Sequence, residues 1–151
     1  MDRLDKCLYA LEKGFNYNKK TGVVTTPNNK EVVKKTNKYI SLCLYKNKKR
    51  YYLYAHHFAW YFENREIVGL IDHKNQVKTD NRISNLRATT KQVNALNTNS
   101  SGAYLDKRSN RYESLVMIDG KRIYLGKFDT KEEAENTHKN YKLNKIKELC
   151  K

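Results

Sequence analysis

The sequence predicts an α+β protein in two parts. Three observations carry that expectation. Ile40, Leu42 and Leu44 alternate with Ser41, Cys43 and Tyr45, the period of a half-buried strand. Thr89 with Gln92, and Thr130 with Glu133, have the spacing of helix-starting capping boxes. A polar stretch, NALNTNSSG over Asn94–Gly102, reads as a helix end followed by a flexible joint. It divides the chain near residue 99 into a domain of 1–99 and one of 100–151.

The elements follow in order. Asp2 to Lys13 has a short helical pattern, stopped by Gly14. Gly22–Thr26, Tyr39–Tyr45 and Arg50–Ala55 read as strands, with Asn47-Lys48-Lys49 as the hairpin turn between the last two. AHHFAWYF, Ala55–Phe62, reads as a short buried helix. Gly69–His73 is a short strand, Lys74–Asp80 a polar loop and Ile83–Arg87 a second extended piece; Thr89 then opens a helix to about Leu96. The second part has strands at Gly102–Leu105, Tyr112–Ile118 and Lys121–Leu125. Asp119-Gly120 is a two-residue hairpin signal between the last two. A helix from Thr130 to about Lys147 closes the chain. It aligns Ala134, His138, Tyr141 and Ile146, and Phe128, Ala134 and Tyr141 are expected to form a core with Val116 and Ile118.

Composition narrows the function. The 151 residues include 31 Lys and Arg against 16 Asp and Glu, a net charge of +15. The sequence pI is 9.7 and the mean hydropathy −0.93. No run approaches the ~18–20 apolar residues of a membrane span, and the charged N-terminus does not read as a secretory signal. Cys7, Cys43 and Cys150 are odd in number and far apart, which argues against a disulfide scaffold or a Cys-built zinc site and suits a reducing cytoplasm. Twelve Tyr with Val, Ile and Leu supply enough apolar mass for small cores. Charge is uneven: 19 basic and 8 acidic residues precede Ser100, a net of +11, and the remainder carries +4. A polyanion, nucleic acid first, is the natural partner.

Leu70 to Asn97 concentrates the chemistry. Asp72 stands next to His73, Asn85 follows twelve residues later, and Asn94 nine after that. A carboxylate and amide oxygens are hard donors that select Mg²⁺ or Mn²⁺ over zinc. A neutral imidazole beside such an ion can take the proton of an attacking water. That combination suits metal-assisted phosphodiester hydrolysis. Asp80 and Asn81 read as turn formers, and Arg82 as a phosphate contact or salt-bridge partner. His56 and His57 read as core packing more than as site residues. Lys48, Lys49, Arg50, Arg82 and Arg87 are the candidate phosphate contacts of this part.

The segment resembles the HNH endonuclease family, especially its phage and intron homing members. The residues carrying the resemblance are IDH at Ile71–His73, DNRISNLR at Asp80–Arg87 and Thr90 through Asn94, with AHHFAW upstream. The resemblance implies a ββα-metal core over about residues 68–97. It implies His73 as general base, Asn85 as the amide that orients it, and Asp72 and Asn94 as ligands of one Mg²⁺ or Mn²⁺ ion. Gln76 stands where the family usually has Gly, which predicts altered loop geometry.

Residues 101–147 resemble the plant ethylene-response-factor (Apetala-type) DNA-binding domain. Gly102, Arg111-Tyr112, Ile123-Tyr124-Leu125-Gly126, Phe128 and the helix with Glu132, Glu133 and Ala134 carry that likeness. It implies a βββα unit whose sheet meets duplex DNA. Lys107, Arg108, Arg111, Arg122 and Tyr124 are its expected DNA-facing residues.

The combined expectation is a homing-type DNA endonuclease. It would cut double-stranded DNA in the cytoplasm of a bacterial or phage-infected cell, nicking one strand per active site. A homodimer is one route to a double-strand break. The alternatives are a non-catalytic DNA-binding protein or decayed endonuclease, and a ribonuclease or RNA-binding module.

Overall fold

A computed structural model of the chain describes residues 1–149; Cys150 lies outside the described residues. The chain forms two compact units, residues 1–88 and 89–151.

The first unit opens with α1 (Arg3–Glu12), started by a reciprocal cap between Asp2 and Asp5. Two very short strands follow, β1 (Asn16–Tyr17) and β2 (Val24–Thr25), paired antiparallel. β1 was not foreseen, because a two-residue strand has no period to read. β3 (Lys35–Thr36), likewise unforeseen, β4 (Tyr39–Lys46) and β5 (Lys49–Tyr54) make an antiparallel sheet in chain order. Its hairpin closes through Asn47 and Lys48, both at positive φ (50° and 60°), the left-handed pair a tight hairpin turn demands. The register pairs Leu42 with Leu53. These two and Leu44 are buried, and α2 (Ala55–Asn64) adds Phe58, Ala59 and Tyr61 to the same core. Each large apolar side chain buried there contributes roughly 1.5–3 kcal/mol. Cys7, Tyr9, Ala10, Tyr17 and Val24 join the same cluster, so the short N-terminal elements are fastened by packing rather than by propensity.

β6 (Leu70–His73) and β7 (Leu86–Thr89) pair with each other. The residues before β7 differ from expectation. Ile83–Asn85 form a 3₁₀ turn instead of a strand, so the extended piece starts at Leu86.

The second unit begins at α3 (Lys91–Leu96), whose N-cap is Thr90, not Thr89. Thr89 is still in β7, and the Thr90 hydroxyl accepts from the Val93 N–H at 3.3 Å. Gln92 therefore has no capping role; it donates to Asp119 instead. β8 (Ala103–Asp106), β9 (Arg111–Ile118) and β10 (Lys121–Phe128) form an antiparallel sheet with β9 central. Asp119 and Gly120 turn the hairpin at φ 50° and 75°. α4 (Lys131–Leu149) is capped reciprocally by Thr130 and Glu133, at 3.2 Å each way. It covers the sheet face carrying Ser114 and Val116, and Ser114 donates to the Ala134 carbonyl at 2.9 Å. Val116 and Ala134 are buried as expected, while Ile118, Phe128 and Tyr141 are only half-buried.

Two expectations change here. The compact units divide ahead of α3, not near residue 99, because α3 buries Val93 and Leu96 and packs on β9 and α4. The polar stretch is also not a free joint. Lys142, itself buried, donates to the Thr98 carbonyl at 2.6 Å, and His138 meets the Ser100 hydroxyl at 3.2 Å. Those bonds satisfy groups that α4 would otherwise bury without partners.

Candidate active site

β6 delivers two adjacent site residues. Alternation along the strand points neighbouring side chains in opposite directions, yet both Asp72 and His73 are buried, at 6% and 4% exposure. Each is therefore served by a different set of neighbours.

Asp72 faces Arg87 of β7. Arg87 Nη2 and Nε both donate to Asp72 Oδ2, at 2.6 and 3.0 Å. The Arg87 side chain is 19% exposed. Arg87, expected as a phosphate contact, is paired with this carboxylate in the structure. The pair balances a charge that could not be buried alone.

His73 sits among rings. Its centroid lies 5.2 Å from that of His56, edge to face, and 6.0 Å from Tyr39. His56 stacks on Tyr54 at 5.5 Å and lies 4.4 Å from His57. Burial, then the neighbouring imidazoles His57 and His73, push the His56 pKa down to about 2. Burial also lowers His57, to about 4. Both are neutral rings near neutrality, and His56 Nδ1 is buried without a hydrogen-bond partner. His56 is therefore both core, as its sequence context suggested, and wall of the site.

The amide that meets His73 is Asn81: its Oδ1 lies 3.1 Å from His73 Nε2. The resemblance assigned that position to Asn85. Asn85 instead braces the loop after His73. Its Nδ2 donates to Asn75 Oδ1 (2.9 Å) and to the Asp80 carbonyl (2.8 Å), and its Oδ1 accepts from the Asn75 N–H (3.0 Å). The 3₁₀ turn over Ile83–Asn85 directs Asn85 into the loop. The sequence signal for Asn81 was its place in the Asp-Asn pair, which reads equally well as a turn.

The loop holds its shape through a left-handed residue. Gln76 has φ 64°, the region glycine enters without strain, and its N–H donates to the His73 carbonyl at 2.8 Å. Arg82 is 51% exposed and bonded to Asp80 through Nε at 2.8 Å. That pairing holds the Asp80 carboxyl down at about 2.

Asn94 lies on α3 in the second unit and is exposed, its N–H donating to the Thr90 carbonyl at 3.0 Å. Among the described residues no group of three or more His, Cys, Asp or Glu could hold a metal ion. A preformed cage is thus absent from them. The donor types named, one carboxylate and one amide oxygen, still fit Mg²⁺, which is held by one or two carboxylates and completes its shell with water and phosphate oxygens.

The other candidate contacts are surface residues of their own units. Lys48, Lys49 and Arg50 are exposed at the β4–β5 turn, with Arg50 over the Tyr45 ring at 5.2 Å. Lys107 and Arg108 are exposed between β8 and β9. Arg111 is half-buried and ion-paired with Asp129 at 2.7 Å. Arg122 and Tyr124 are exposed opposite Met117 and Leu115, on the sheet face turned away from α4.

Among the described residues no helix is long and apolar enough to cross a membrane. No curated protein and no solved structure matches the chain. Residues 53–96, which carry Asp72, His73, Asn81, Asn85, Arg87 and Asn94, match the family model described as HNH endonuclease.

Proposed function

We propose that the protein is a metal-dependent DNA endonuclease of homing type that hydrolyses phosphodiester bonds. The observation that carries the reading is the pair on β6: a shielded imidazole held by an amide, beside a shielded carboxylate held by a guanidinium. His73 takes the proton of the attacking water. Asp72 is the proposed carboxylate donor to one Mg²⁺ or Mn²⁺ ion, and Asn94 the proposed amide donor on its place in the sequence motif. Such an ion, when bound, supplies charge neutralisation at the scissile phosphate and the leaving oxygen. Asn85 acts by shaping the loop between β6 and β7. One such site per chain implies nicking of one strand, with a dimer or a second event needed for a double-strand break.

The second unit is proposed to supply duplex affinity. Its element order, three strands then a helix, supports the likeness to ethylene-response-factor domains and leaves Arg122 and Tyr124 on an open sheet face. Lys107 and Arg108 at the strand turn, Arg111 beside them, and Lys48, Lys49, Arg50 and Arg82 in the first unit are proposed to meet phosphates.

The test is supercoiled plasmid carrying candidate targets, incubated with wild type and with His73→Ala, in Mg²⁺ or Mn²⁺ and then with chelator. Metal-dependent nicking by wild type alone is expected, with DNA retardation equal for both. Equal nicking by His73→Ala would remove the base assignment. A second reading, a DNA-binding protein that no longer cuts, draws on Arg87 occupying Asp72 Oδ2. Retarded but uncut DNA would favour it.

A further inference from the structure

Asn81 is 1% exposed, deeper than His73 itself. An amide oxygen only accepts, so the 3.1 Å contact from Asn81 Oδ1 to His73 Nε2 is made with a proton on Nε2. What holds Asn81 comes from outside the loop. Tyr17 of β1 donates its hydroxyl to the Asn81 carbonyl at 2.8 Å. Gly22, in the β1–β2 turn, lies so close that a Cβ there would stand 2.5 Å from Arg82 N and 2.7 Å from the Asn81 carbonyl carbon. Asp80 and Arg82 clamp each other on either side, and Asn85 binds the Asp80 carbonyl. The second amide atom of Asn81, Nδ2, is buried and donates to no acceptor. A side chain so enclosed, with half of its amide unused, is explained by what its oxygen does.

We propose that Asn81 is the positioning residue that fixes the ring plane and tautomer of His73, and that the β1–β2 hairpin is its buttress. The proposal rests on reading His73 as the base of the nuclease. It brings Tyr17 and Gly22, which precede the matched segment 53–96, into the working of the site.

The experiment has two readouts on the full chain. In ¹⁵N-histidine NMR, with His73→Ala to assign the signals, His73 is expected as the Nε2–H tautomer. Asn81→Ala mixes the tautomers, while Asn81→Asp retains Nε2–H because it presents an acceptor at the same place. In plasmid nicking, Asn81→Ala lowers kcat about 10–100-fold, as loss of a supporting partner does elsewhere, with KM and DNA retardation unchanged. Asn81→Asp recovers most of that loss. Tyr17→Phe removes only the hydroxyl that holds Asn81; it keeps the fold and is expected to lower kcat in the same direction by a smaller factor.

A wild-type His73 protonated on Nδ1 overturns the proposal. So does an Asn81→Ala chain with unchanged tautomer and kcat, or an Asn81→Asp chain that cuts less than Asn81→Ala. If wild type cuts no DNA, the nuclease reading fails separately, and the NMR readout still decides whether Asn81 sets the His73 ring.

Discussion

Replacing Arg87 by Met separates its charge from its bulk. In wild type, Asp72 is 7% exposed at the side chain and both of the Arg87 nitrogens that reach it lie within 3.0 Å. Removing one partner of a fully buried pair costs roughly 3–5 kcal/mol, and an exposed pair is worth about 0–1 kcal/mol. Arg87 is 19% exposed, so water partly reaches the pair. The expected loss is about 2–3 kcal/mol, roughly 30- to 150-fold in the folding equilibrium. The single Trp of the chain, Trp60, lies in α2 of the same unit, so its fluorescence reports that unit during urea unfolding. With a urea slope near ~1 kcal/mol/M for a unit this small, the midpoint should fall by about 2–3 M. Adding Asp72→Asn to Arg87→Met should restore most of the loss, because the orphaned charge is then gone. A shift equivalent to less than ~0.5 kcal/mol, or a double variant as unstable as the two single losses added, would refute the account of Asp72 as a carboxylate held by Arg87.

The remaining predictions concern pH, backbone and DNA. The pKa values of His57 (about 4) and His56 (about 2) lie below the ordinary 6.5, so on acidification the unfolded chain takes up protons first. The stability these two rings contribute is therefore full above 6.5 and falls below it, down to about 4 for His57 and about 2 for His56, with His57 alone contributing on the order of 3 kcal/mol. Urea midpoints measured at pH 7, 6, 5 and 4 should decline, and His57→Asn should flatten the decline; parallel slopes would contradict it. Gln76→Gly relieves a left-handed residue and should stabilise the first unit by up to about 1 kcal/mol in the same assay. Arg122→Ala should weaken duplex binding and reduce the slope of log K against log salt by about 1. An unchanged slope in filter binding would show that Arg122 does not meet phosphate.

What could be read from the residues had short-range causes. The Thr130–Glu133 cap, the Asp119-Gly120 turn and the alternation of Ile40, Leu42 and Leu44 each act within a few positions, so their signatures are local. The adjacent Asp72 and His73 stood out for the same reason. Three features stayed hidden because tertiary contacts decide them. Thr89 and Thr90 are equally good caps, and the extent of β7 chooses between them. Asn81 and Asn85 are equally good amides; a 3₁₀ turn sends one into the loop, and a hairpin from far upstream holds the other against the imidazole. The pairing of Arg87 with Asp72 is hidden too, because a positive residue in a basic chain gives no sign of which anion it meets.

The packing of α3 bears on how such proteins can be recombined. The helix bearing Asn94 is enclosed by the strands and helix that follow it, with Val93 and Leu96 buried and Gln92 tied to Asp119. A graft spliced at the polar stretch would strand that helix with an uncovered apolar face. A graft spliced at Ala88 would keep it intact, and would carry Asn94 to the new host together with the sheet. Exchange of the sheet-bearing half is then also exchange of Asn94 and the rest of α3, so the segment that matches the family model cannot be inherited apart from the sheet that encloses its last helix.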